Sequence, residues 1–196
     1  MHRIILITVL LPAMVSAQHL LSVGIKGGIP LSDAFADATA TSVDVITHTF
    51  SDSKNYVIGP FVELHLPAGF AVEADALYHP LNLSTDTRIV PTTTSHSSFD
   101  INSWEFPILA KYHFLHTPIV KPYLEAGPAF RAIGDSGGGL SNKGFAIGGG
   151  IDVKVLLVRV TPELRYTRWG SDTVNPAIPY APSNQNQAQF LLGISF

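Results

Sequence analysis

From Gln187 to Phe196 the chain alternates with a period of two. Ala188, Phe190, Leu192, Ile194 and Phe196 fall on one side, and Gln187, Gln189, Leu191, Gly193 and Ser195 on the other. A strand sends successive side chains to opposite faces, so this stretch predicts a strand with a greasy face and a small, mostly polar face. Eight stretches share this character, at 20–29, 56–66, 69–79, 101–115, 119–131, 144–154, 156–168 and 187–196. No stretch repeats apolar residues at i, i+3, i+4 and i+7, so the spacing argues against helix.

The connections alternate in length. Three are tight, at Pro67-Ala68-Gly69, around Thr117-Pro118 and around Val155. Four are long and polar, at about 30–55, 80–100, 132–143 and 169–186. Outer-membrane barrels alternate in this way, with short periplasmic turns and long external loops. Thr41–Phe50 and Thr87–Thr94 keep an extended, Thr-rich pattern. Strands one to four therefore either project past the membrane as a hairpin sheet or join through ordinary loops. The predicted fold is all-β: an eight-stranded antiparallel up-and-down transmembrane β-barrel with a polar, side-chain-filled lumen.

Charge sorts with the alternation. The predicted inner face carries Lys26, Glu63, Glu73, Asp75, Glu105, Lys111, Lys121, Glu125, Arg131, Asp152, Lys154, Arg159, Glu163 and Arg165. These are seven acids and seven bases, enough to pair off, and they predict an ion-pair network in the lumen. Glu105 and Lys111 lie beside Glu125 and Lys121 on the next strand. The opposite face is nearly free of charge, with Arg168 at a strand end the exception. Aromatic residues sort the other way. Tyr56, Phe70, Tyr78, Trp104, Phe106, Tyr112, Phe114, Phe130, Phe145, Tyr166, Phe190 and Phe196 share the uncharged face, with only Phe61 and Tyr123 inward. Their heights form two belts bounding an apolar band, the expected interface girdles. A water-soluble barrel would reverse both patterns.

Five prolines, at 60, 107, 122, 128 and 162, lie inside these strands. Each removes a ladder donor, and a bulge at any of them would flip the faces beyond it.

Composition narrows the class. Only 14% of the residues are charged and the formal charge is −3, which argues against nucleic acid, a partner that calls for a basic patch. The absence of Cys removes disulfides, metal–thiolate sites and thiol chemistry. Residues 1–17 read as a secretory signal peptide: Arg3 is the basic start, Ile4–Val15 the apolar stretch, and Val15-Ser16-Ala17 the cleavage site. Residues 18–196 would then form the barrel domain. No Cys follows the cleavage site, which argues against a lipid-anchored lipoprotein. After Ala17 no apolar run is long enough for a membrane helix.

Gly24-Ile-Lys-Gly-Gly28, Trp104-Glu-Phe-Pro-Ile-Leu-Ala-Lys-Tyr112, Pro122-Tyr-Leu-Glu-Ala-Gly-Pro128 and the final Phe196 together resemble the outer-membrane β-barrel domain family of small Gram-negative barrels. That group includes PorT-type proteins and shares its architecture with the barrel of outer membrane protein A. The resemblance covers the mature chain and includes the prolines at 107, 122 and 128. It implies residence in the cell outer membrane, contact with outer-membrane lipid, and engagement of the barrel-assembly machinery through Phe196 as assembly signal. Members share a barrel rather than a chemistry.

Candidate chemistry is sparse. Eight strands leave an interior just wide enough for side chains, so the charges predict a plugged lumen; a narrow gated channel or small-solute porin is the alternative. His96, Ser98 and Asp100 sit two apart and loosely resemble the set of the outer-membrane lipid A deacylase. A triad is defined by geometry rather than spacing, so no catalytic residue is assigned, and a lipid A-modifying hydrolase is the distant alternative. His65, His113 and His116 read as polar lumen residues rather than metal ligands. Gly138 and Gly148–Gly150 form no nucleotide loop, because no helix follows. No cofactor is implied. The long loops hold eight Asp (33, 37, 44, 52, 86, 100, 135, 172) against Lys54, Arg88, Lys143 and Arg168, and exposed hairpin edges there could recruit a partner strand. The expectation is a monomeric barrel with a structural or surface-interaction role, an adhesion or ligand-binding module without enzymatic activity.

Overall fold

The structure is a computed structural model. It describes residues 20–32, 38–42, 45–51, 56–89, 93–115, 117, 119–133, 142–170 and 184–196, and for 38–51, 81–101 and 133 it describes the backbone pairing alone. The signal-peptide assignment and the loop stretches between these ranges lie outside the described residues.

The described residues form eleven strands: β1 (Leu21–Pro30), β2 (Ala38–Ser42), β3 (Val45–Ser51), β4 (Val57–His65), β5 (Phe70–Asp75), β6 (Leu77–Ile89), β7 (Thr93–His113), β8 (Val120–Ile133), β9 (Lys143–Val155), β10 (Val158–Trp169) and β11 (Asn186–Ser195). All pairings are antiparallel. β1 pairs with β4 on one side and with β11 on the other, which closes the sheet into a barrel. β5 and β6 are two halves of one wall strand, so the wall has the eight strands expected.

Closure has a definite stagger. One belt of outward residues runs Leu21, Leu64, Val72, Ala110, Ala126, Ile147, Tyr166 and Ala188 through successive registers. Ala188 then accepts from the Leu31 N–H at 2.7 Å, ten residues beyond the start at Leu21. A stagger of this size tilts the strands and leaves an eight-strand interior that side chains can fill.

The prolines cost ladder bridges but no parity. Phe61 pairs with Asp75 and Ile58 with Tyr78, so the register is the same on both sides of Pro60. The break between β5 and β6 falls at Ala76, opposite Pro60. There the Ala76 N–H still donates to the Pro60 carbonyl at 2.9 Å, but proline returns no donor. Opposite Pro162 the β9–β10 ladder skips from Val160–Val153 to Glu163–Gly150 and then continues in the same register. The faces read from alternation therefore hold along each strand.

The sequence reading of 80–100 as a long connection is incomplete. β6 and β7 continue paired to Ile89 and Thr93, and the β2–β3 hairpin joins the outer part of β6. The outer sheet thus runs β7, β6, β3, β2. Thr-rich segments favour extended, paired backbone, and β6 offers a free edge once β4 has ended.

Two tight turns use left-handed backbone. Ala68 has φ 62° in the Pro67–Gly69 turn, and Leu156 has φ 57° in the two-residue β9–β10 turn. That conformation costs a non-glycine residue about 1–2 kcal/mol.

Candidate functional site

Among the described residues, the lumen is where titratable and charged side chains gather. Alternation aims Lys26 of β1, Glu63 of β4, Glu73 and Asp75 of β5, Lys111 of β7, Glu125 of β8, and Glu163 and Arg165 of β10 inward, and all are buried. Lys26 Nζ lies 2.6 Å from Glu73 Oε1, 2.9 Å from Glu163 Oε2 and 3.5 Å from Asp75 Oδ2. Lys111 Nζ lies 2.6 Å from Glu73 Oε2, 3.2 Å from Glu63 Oε2 and 3.7 Å from Glu125 Oε2. Arg165 reaches Asp75 and Glu163 at 2.7 Å each, Glu125 at 3.2 Å and Glu73 at 3.3 Å. Tyr123 adds a hydroxyl that donates to Glu163 Oε2 at 2.9 Å, and its ring lies 4.3 Å beneath the Lys111 ammonium. Charges removed from water are tolerated only when paired in this way. Each cation binds carboxylates from several strands, so the network cross-links the wall across the middle of the lumen.

A second layer lies toward the short turns. Arg159 Nη1 is 2.8 Å from Glu63 Oε1 and 3.3 Å from Asp152 Oδ2. Thr161 donates to Asp152 Oδ1 at 2.8 Å, His113 Nε2 is 3.0 Å from Asp152 Oδ2, and His65 Nε2 is 3.1 Å from Glu63 Oε1. His65 and His113 are thus polar lumen residues; His116 lies outside the described residues. Below this layer the barrel opens into a vestibule of about 310 Å³.

Lys121 and Lys154 line that vestibule and are exposed. Both have inward parity, yet neither makes an ion pair among the described residues, so they do not belong to the buried network. Each sits at the end of its strand, where the inner face has already met water. The expected balance of seven acids and seven bases therefore becomes seven buried acids against Lys26, Lys111, Arg131, Arg159 and Arg165. The expected pairing of neighbours is also partial. Lys111 does face Glu125, but Glu105 faces Arg131 and Lys121 faces Asp152 in register.

The third layer lies toward the long loops. Glu105 is 3.3 Å from Arg131 Nη2, accepts from Gln189 Nε2 at 3.0 Å and is 3.4 Å from His79 Nδ1. Arg131 Nη2 and Trp169 Nε1 both donate to Gln187 Oε1, at 2.6 and 2.8 Å. The Arg131 guanidinium stacks 3.8 Å from the Trp169 ring, a cation–π contact. Sequence reasoning missed His79, the last residue of a predicted strand, and Trp169, the first residue of a predicted long connection. Extending the period by one step past Asp75 and Leu77 reaches His79, and one step past Arg165 and Thr167 reaches Trp169. The lumen also holds two apolar clusters, Leu109–Ala129–Ala146–Trp169 and Val57–Leu77–Leu191, so its filling is mixed rather than wholly polar.

Large inward side chains need room on the facing wall. A Cβ on Gly150 would lie 2.6 Å from the Tyr123 hydroxyl, and one on Gly148 would lie 2.7 Å from Glu125 Oε1. These glycines serve close packing of the network, in keeping with glycine in barrel strands.

Outside the lumen, His96, Ser98 and Asp100 share one parity of β7 in the outer hairpin, in register with Asp86, Ser84 and Asn82. Glu73, Glu125 and Glu163 bring carboxylate oxygens within 4.8 Å of one another, as a metal would require. Lys26, Lys111 and Arg165 already occupy that space, and these donors fit a cation-bridged network better than a metal.

On the outside, the aromatics expected to face lipid are exposed or, at Tyr78, partly so, while Phe61 and Tyr123 are buried. Comparisons agree with this inside-out pattern. Residues 16–135 match the family described as outer membrane protein beta-barrel domain. No curated protein sequence matches the chain. Among solved structures the fold is similar to Neisserial surface protein A, with 14% identity, TM-score 0.54, and coverage of 89% of this chain and 95% of that one. It is also similar to the outer membrane protein OprG from Pseudomonas aeruginosa, with 14% identity, TM-score 0.56, and coverage of 90% and 94%.

Proposed function

This chain belongs to the outer membrane protein beta-barrel domain family, and we propose that it serves as a closed barrel that displays a binding surface outside the cell. Its location is the cell outer membrane, with outer-membrane lipid around the wall. Residues 1–17 direct export and are removed, leaving 18–196 as a monomeric barrel. N-terminal sequencing of membrane-extracted protein should then begin at Gln18.

The observation that carries the closed-lumen reading is the joint hold of Lys26, Lys111 and Arg165 on five buried carboxylates. Purified protein in planar bilayers should give no stable large conductance steps. Regular steps would favour the competing reading, a narrow gated channel in which these ion pairs exchange partners.

The surface role rests on the outer sheet. β2 pairs with β3 alone among the described strands, so its other edge is available for β-strand addition by a partner. Deleting 36–50 should leave heat-modifiable gel mobility intact and abolish binding to partner cells. Unchanged binding would refute this role. The reading includes no catalytic step. Release of lipid A acyl chains that disappears in Ser98→Ala would overturn that part.

A further inference from the structure

The vestibule at the short-turn end has a composition that the closed-barrel reading does not use. Its wall carries Lys121, Lys154 and Arg159, with His65 beside them. The acids at its floor are already engaged: Asp152 by His113, Thr161 and Arg159, and Glu63 by Arg159, Lys111 and His65. Among the described residues Lys121 and Lys154 have no such partner, and the buried Nη2 of Arg159 has no hydrogen-bond acceptor. The opening thus presents two unpaired ammonium groups, Lys121 and Lys154, beside the already paired Arg159 guanidinium, around a space large enough for a phosphate group.

Its lip is the opposite in character. Leu157 and Ile119 line the same opening, and Leu156 and Leu157 are 90% and 89% exposed at the tip of the β9–β10 turn. A turn of this length ordinarily takes Gly, Asn or Asp. Here a leucine is held at φ 57°, strained and fully presented. Exposed apolar Val155 and Ile151 continue from the tip along the outer wall, so the lip is continuous with the lipid-facing band. A basic hollow with an apolar lip matches an amphiphile bearing an anionic head.

We propose that the vestibule formed by Lys121, Lys154 and Arg159 binds the phosphate of a membrane phospholipid, whose glycerol and acyl region rests on Leu156 and Leu157. Free phosphate shares the headgroup chemistry but would leave the leucine lip unused. The occupant is therefore a lipid of the leaflet that borders the short turns, and the barrel keeps one such molecule at a fixed place on its rim.

The test uses the full mature chain folded in detergent micelles, with folding checked by heat-modifiable mobility. Dioleoyl phosphatidylglycerol, dioleoylglycerol and inorganic phosphate are titrated separately, and bound molecules are counted by native mass spectrometry. The native chain should retain one phosphatidylglycerol saturably and no dioleoylglycerol. Retention should fall by about tenfold or more in Lys121→Gln/Lys154→Gln, fall again in Leu156→Ser/Leu157→Ser, and persist in Arg168→Gln at the other end. Displacement of the lipid by millimolar inorganic phosphate, with the leucine variant unaffected, would overturn the lipid as occupant in favour of a soluble anion. Equal retention in native and lysine variants, or no saturable retention of either phosphate probe, would overturn the site.

Discussion

The Arg131 guanidinium lies over the Trp169 ring, 3.8 Å from its centre, and both groups donate to the same oxygen of Gln187. This pair roofs the lumen on the long-loop side, while the three-cation network fills its middle. The two layers make separable predictions.

Trp169→Ala removes the roof and leaves a cavity beside Leu109, Ala129 and Ala146. The expected loss is about 3–5 kcal/mol in urea unfolding, with no gain in conductance because the central network still blocks the barrel. Trp169→Phe keeps the ring but not the donor and should lose less. Stable current through the Trp169→Ala variant would place the barrier in the roof instead.

Lys26→Met deprives Glu73, Asp75 and Glu163 of one of the two cations that all three share, the other being Arg165. Removing one partner from a buried ion network costs about 3–5 kcal/mol. Lys121→Met, at an exposed position with no ion pair among the described residues, should stay within about 0.5 kcal/mol. Similar urea midpoints for the two variants would mean that the network does not hold the wall together.

Gly150→Ala forces a methyl against the Tyr123 hydroxyl, which donates to Glu163. Overpacking of this kind costs about 1–3 kcal/mol. Gly27→Ala meets nothing closer than the Val57 carbonyl at 3.8 Å and is the matched control. A Gly150→Ala barrel as stable as the control would show that the wall yields freely at that point.

Leu156→Asn places a residue that tolerates left-handed backbone where leucine is strained. In detergent free of phospholipid the variant should gain up to about 1 kcal/mol. A loss under those conditions would mean that the leucine side chain stabilises the turn through protein contacts.

Phe196→Ala tests the seam. The Phe196 N–H donates to the Val23 carbonyl at 3.2 Å, beside the β1–β11 pairing that closes the barrel, and its ring is largely exposed. Backbone pairing should survive the substitution, so the folded protein should keep its urea midpoint. The amount assembled in the outer membrane should fall, as expected of an assembly signal. Unchanged outer-membrane levels would remove that role from Phe196.

The strands and their faces are legible in the chain because alternation is a local property, and the inside-out sorting of charges and rings between those faces points to a closed barrel. Inward Lys26 beside Gly24 and Gly28, or inward Glu163 and Arg165 between Leu164 and Tyr166, can be read without knowing any neighbour. The prolines did not disturb this reading, since each removed a donor without inserting a residue. The outer hairpin was only half legible. Thr-rich segments announce extended backbone, but whether β3 finds the edge of β6 depends on where β4 stops.

Sequence by itself determined which residues face the lumen, because strand geometry fixes side from parity alone. Only the tertiary structure decided how far along the lumen each one lies and which partner it meets. Height depends on the stagger between strands, and that is set by closure of the whole sheet from Leu21 round to Leu31. The same parity therefore buries Lys111 among carboxylates but leaves Lys121 and Lys154 in water at the mouth. It also carries Trp169, at the edge of a predicted loop, onto the guanidinium of Arg131.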